Sequence, residues 1–163
     1  MNELHTPVPQ RLSQLRIAQS RQLFDPWEMI GAALKMLETM RFAITGYDLE
    51  KFCHGIYNSV HPDTRLIYLA SPDPALRRRL LQIRSVIADT TSHQSVIGSA
   101  FAGFDPEPND CVLPLVDDPD FHVLEYILPL QIVASRLPYR LGVDPFYAAD
   151  PHFHQRADSK QTG

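Results

Sequence analysis

The feature that most constrains this chain is a change of period. "TRLIYLAS" is a continuous apolar run, and the amphipathic repeat of "SPDPALRRRLLQIRSVIADT" follows at once. A short unbroken apolar run reads as a strand buried on both faces, and the repeat that follows, with its Ser-Pro start, reads as a helix. The same succession recurs along the chain. "DPWEMIGAALKMLETM" has Asp25 as a cap, Pro26 in the first turn and Glu28 at the positive end of the dipole. Met29, Ala33, Met36, Leu37 and Met40 recur there at helical spacing. "RFAITGY" reads as a short extended piece, and "DLEKFCHGIYNSV" as a short helix behind a capping Asp. "QSVIGSAFAG" holds a further strand, "DPEPNDC" is a loop by composition, and "CVLPLV" is a last short strand. "DPDFHVLEYILPLQIVASRLPYRLG" reads as a long helix kinked at Pro129 and stopped by Gly142. "LSQLRIAQS" fits a strand or a helix equally well. Strands alternating with helices predict an α/β fold, a parallel sheet with helices on both faces.

The chain has 163 residues, enough for one domain with a sizeable core. Residues 1–12 read as a loose arm and 13–145 as the domain. Residues 146–163 read as an irregular tail that reaches a pocket or a partner. A net charge of −4 gives no electrostatic reason to expect nucleic acid, and "LRRRL" reads as a solvated helix face. The N-terminus lacks a basic start and an apolar run, and no stretch is long and apolar enough to span a bilayer, so the expected compartment is the cytoplasm. Cys53 and Cys111 match no zinc spacing, and no family signature marks Cys53 as a nucleophile. His152 and His154 lack a third ligand nearby, so neither metal nor cofactor is expected.

Three groups carry the possible chemistry. Lys35 and Glu38 stand three apart and share a helix face. They are either a surface ion pair worth less than ~1 kcal/mol or a base and its supporting cation pointing into a pocket. His54, just before Gly55, is either structural or a proton carrier near neutral pH. Phosphate loops of the GxGxxG and GxxxxGK[ST] types are absent.

The order of these motifs resembles the sugar isomerase (SIS) domain family. The likeness is to the second such domain in the isomerase half of glucosamine-6-phosphate synthase, and to the fructosamine-6-phosphate deglycases. That family reads "EGALKLKE" and then "ELKHG" or "EFxHG"; this chain reads "GAALKMLE" to Glu38 and "EKFCHG" to Gly55, without a gap in spacing. The family's "PLLYVIPLQLLAYxxALxRGxDPD" is matched by "HVLEYILPLQIVASRLPYRLGVDPF", which aligns Pro129, Gln131, Gly142 and Asp144. Its terminal "NLAKSVT" is matched by "ADSKQTG" with Lys160.

The resemblance implies a three-layer αβα sandwich with a flavodoxin-like parallel sheet. It implies an aldose–ketose isomerase or deglycase working through an enediol, with Glu38 moving the proton and Lys35 supporting it. His54 would assist ring opening and Lys160 would act near the sugar carbonyl, with Gly55 and Ser159 touching the substrate. It also implies a homodimer or a hetero-oligomer. The chain departs from the family at Gly31, at "EKFC" before His54 and at Ile56, and Ser-Gly never occurs, so the "SxSGxT" phosphate loop of the companion domain is missing. A second SIS chain is then expected to complete the site; a non-catalytic module that binds a sugar phosphate or a partner is the alternative.

Overall fold

The computed structural model describes residues 14–19, 26–116 and 118–159. The N-terminal arm, Asp25 and Lys160 lie outside them. Five parallel strands form one sheet in the order β2-β1-β3-β4-β5. They are β1 (Gln14–Gln19), β2 (Ala43–Asp48), β3 (Arg65–Leu69), β4 (Gln94–Gly98) and β5 (Cys111–Val112). The helices are α1 (Pro26–Met40), α2 (Leu49–Cys53), α3 (Pro74–Ile87), α4 (Pro119–Arg140) and the single turn α5 (Phe153–Arg156), with a 3-10 turn at Ile56–Ser59. This is the flavodoxin-like strand order, with its switch point between β1 and β3.

The ambiguous first segment is a strand because its side chains alternate between two cores. Leu15 and Ile17 point to one face, where α1 supplies Ala33, Met36 and Met40, and α4 supplies Tyr126, Leu130 and Ala134. Ala18 points to the other, where α2 and α3 supply Phe52, Leu80, Ile83 and Ile87. The two helix pairs therefore lie on opposite faces of the sheet.

Local chemistry fixes the helix ends. Asp48 caps α2 by accepting the Glu50 and Lys51 N–H groups at 3.1 Å. Asp73, rather than the preceding Ser-Pro, caps α3 through Ala75 and Leu76. α4 stays helical through Pro129 and Pro138. It closes on Gly142, at φ +72°, with the Val143 N–H donating to Pro138 O and the Gly142 N–H to Tyr139 O, the double bond pattern of a Schellman end. Close β3–β4 packing needs Gly98, where an added Cβ would stand 2.7 Å from Ala70 Cβ.

Candidate functional site

Lys35 and Glu38 sit in the second half of α1, the part that returns toward the start of β2. Ala33, Met36 and Met40 take the buried stripe, which turns Lys35 and Glu38 outward. Their side chains are 76% and 49% exposed and pair at 3.1 Å, Nζ to Oε2. Leu34 and Leu37 are exposed beside them.

His54 ends α2, its N–H donating to Glu50 O and Lys51 O. It lies on the other face of the sheet, one turn beyond the carboxyl end of β2. Gly55 follows at φ +139°, a conformation that L side chains rarely adopt, with open space where a side chain would stand. The next turn is clamped from beneath. Arg16, buried in β1, donates to Ile56 O at 3.1 Å, Ser59 Oγ at 2.7 Å and Ser59 O at 2.9 Å. Glu50 meets Arg79 of α3 through two bonds of 2.8 and 3.1 Å. The Arg79 hydrogen bond holds the Glu50 carboxyl below its ordinary range, with a smaller contribution from His54. Burial pushes the Cys53 thiol up, which disfavours the thiolate a nucleophile needs.

The tail is tied back at its root. Arg41, at φ +59° after α1, donates to Asp144 O at 2.8 Å and to Tyr147 O. Beyond it Phe146, Tyr147 and Phe153 are exposed. Ser159 bonds His154, Oγ to Nδ1 at 2.7 Å. Among the described residues no three His, Cys, Asp or Glu side chains gather as a metal site, and no helix is long and apolar enough to cross a membrane.

Within one chain, then, Lys35 and Glu38 come together, while His54 and Gly55 lie behind the sheet from them. Ser159 sits in the exposed tail. The sequence reading missed two residues. Arg16 is a polar residue in an otherwise apolar alternation, and that oddity was its available signal. Arg77 corrects the reading of "LRRRL" as a solvated face. It is half-buried, reaches Ser71 O at 2.6 Å and Ser99 Oγ at 2.8 Å, and stacks over the Phe101 ring at 4.8 Å. It thus bridges the carboxyl ends of β3 and β4, the edge where α/β sheets receive ligands.

The fold has known counterparts. A candidate phosphosugar isomerase from Clostridium difficile 630 superposes with a TM-score of 0.79 at 28% identity, over 94% of this chain and 41% of that one. A candidate sugar-binding protein from Salmonella typhimurium LT2 has a TM-score of 0.63 at 33% identity, over 76% of this chain and 36% of that one. The chain has the three-layer fold of the sugar isomerase (SIS) domain and resembles that family. The C-terminal domain of glucosamine-fructose-6-phosphate aminotransferase from Francisella tularensis shares the SIS fold, with a TM-score of 0.66 at 20% identity, over 82% of this chain and 38% of that one. This SIS domain thus spans about two fifths of each of these structures. No protein-family model and no curated protein matches the chain.

Proposed function

We propose that this SIS domain supplies the acid–base half of a phosphosugar aldose–ketose isomerase or deglycase, and that a second SIS chain completes the site. The observation that carries the reading is the setting of the Lys35–Glu38 pair. It lies on an outer surface where Leu34 and Leu37 of α1 stand exposed beside it. On the same side of the sheet α4 exposes Phe121, Leu124, Leu128, Ile132 and Tyr139, a stripe opposite its buried one. A helix apolar on both sides is one that gets covered on both sides. Covering this surface turns a solvated ion pair into a desolvated one, where a carboxylate and an ammonium act strongly on a bound sugar.

In that setting Glu38 removes the proton from the carbon next to the sugar carbonyl. The electron pair moves to the carbonyl oxygen, whose developing charge Lys35 offsets; the adjacent hydroxyl gives its proton to that oxygen, and Glu38 returns the carbon-bound proton to the former carbonyl carbon. His54 sits across the sheet from this pair, so it would serve a site completed from another subunit, opening the sugar ring there. Lys160, near the carbonyl, and Gly55 and Ser159, against the substrate, are the remaining proposed contacts. The missing Ser/Thr loop leaves the phosphate to be held by the second chain. In a deglycase the same proton transfer would convert a ketosamine phosphate into the aldose imine, which water then hydrolyses to the aldose phosphate and the free amine.

The test is turnover of hexose phosphates and fructosamine phosphates by the chain, alone and with an SIS domain that carries "SxSGxT". Glu38→Gln is expected to lower turnover by about 10²- to 10⁴-fold and to leave sugar-phosphate binding nearly unchanged. Equal turnover in that variant removes Glu38 from the chemistry. The second reading, a module that binds without converting, is favoured by Ile56 after His54–Gly55 and by the absence of Ser-Gly. Binding without conversion in every combination would establish it.

A further inference from the structure

On the α1/α4 face, α1 and α4 pack over β1, β2 and β3 and leave the sheet surface at β4 and β5 open. A groove remains there, walled on one side by α4. Its upper part, about 630 Å³, is lined by Ile97, Cys111, Leu113, Leu128 and Ile132, with Glu125 at the wall. Its lower part, about 420 Å³, shares Ile67, Ser95, Asn109 and Val133 and reaches Arg65 and His93.

Three observations specify what fits. The first is length. Groove-lining positions of α4 run from Glu125 to Leu137, about 18 Å at the helical rise, or roughly three turns. The second is an unmet bond. Glu125 Oε1 accepts the Val116 N–H at 3.0 Å, while Oε2 is buried with no hydrogen-bond partner among the described residues. A buried carboxylate oxygen left in that state is costly, so the occupant brings a donor. The third is polarity. An acidic group marks the upper part, and Arg65 and His93 mark the lower. A helix lying along this axis is favoured with its positive N-terminal end at the carboxylate and its negative C-terminal end at the Arg65 end.

We propose that the groove docks an amphipathic helix of about three turns from a partner chain, running parallel to α4 with its N-terminal end at Glu125. Such a helix covers Leu128 and Ile132, which belong to both the groove and the exposed stripe of α4. The inference stands apart from the catalytic reading and holds for an enzyme or a binding module alike.

The probe is a pair of capped 14-residue peptides with leucines at i, i+3, i+4 and i+7. One carries Arg in its first turn and Glu in its last; the other has the two exchanged. The exchanged peptide is the better isolated helix, so helicity alone predicts that it binds more tightly. By fluorescence anisotropy on the full chain, the first peptide is expected to bind about tenfold more tightly. Glu125→Gln keeps the bond to Val116 and is expected to erase most of that preference, and Leu128→Asp to abolish binding with an unchanged melting curve. Absent binding, equal affinities, or a preference untouched by Glu125→Gln overturns the proposal. So does a dimer in sedimentation that Leu128→Asp splits, because a second copy would then occupy the groove.

Discussion

The two faces of the sheet are finished to different degrees. On the α2/α3 face the core is braced by polar struts. Arg16 clamps the 3-10 turn, and Tyr68 donates to Gln94 at 2.8 Å beneath α3. Arg84 meets Asp110 at 2.9 Å, with the Asp110 side chain wholly buried, and Asp110 also accepts the N–H groups of Val96 and Glu107. On the α1/α4 face the same sheet carries a groove, an apolar outer stripe and the Lys35–Glu38 pair. The α2/α3 face exposes fewer large apolar side chains, Val86 and Tyr57 among them, whereas the run of them along α4 is a surface that another one would cover.

Substitutions should separate the faces, and the largest effect is expected on the braced one. Asp110→Ala removes the buried carboxylate of Arg84, leaving it only the exposed Glu107 at 3.1 Å, and strands two backbone N–H groups, so it should cost about 3–5 kcal/mol in urea unfolding; a loss below about 1 kcal/mol would show that the strut is dispensable. Leu80→Ala, which opens a cavity under α3, should cost about 2–5 kcal/mol. The matching truncation on the open face, Leu128→Ala, should change stability by less than about 0.5 kcal/mol. A comparable loss at both leucines would mean that α4 is already covered in the isolated chain.

Tyr126 gives a smaller, pH-gated effect. It lies in the core beneath α4 and donates to Ala70 O, and burial pushes its hydroxyl pKa from about 10 up to about 12. A folded-state pKa raised above the unfolded one contributes stability in full below the unfolded value, and that contribution is lost as pH rises through the folded one. Stability should therefore fall between about pH 10 and 12. Tyr126→Phe should flatten part of that fall in alkaline thermal melts, and an unchanged slope would exclude Tyr126 as its source.

Much of this architecture was legible in the residues. The unbroken apolar run of β3, the amphipathic repeats of α1 and α3 and the glycine stop of α4 each follow a local rule. β1 was not, because Arg16 breaks the apolar pattern while being buried through its bonds to a turn 40 residues away. The pairing of Lys35 with Glu38 was readable from i,i+3 spacing. Its separation from His54 was not, because that depends on strand order. β2 lies on one side of β1 and β3 on the other, so right-handed crossovers put α1 and α2 on opposite faces. Arg77 was misread for a similar reason: its partners Ser71 and Ser99 converge on it only once β3 and β4 pair.

The central claim is that a covered Glu38 moves a sugar proton. Its most direct test is deuterium exchange in D2O at the carbon next to the carbonyl, carbon 2 of aldohexose phosphates and carbon 1 of ketohexose and fructosamine phosphates, followed by NMR, with an SIS domain bearing the Ser/Thr loop present. Label should enter with the unaltered chain and fail to enter with Glu38→Gln. Undiminished entry with Glu38→Gln, or no entry with any sugar phosphate, would contradict the account.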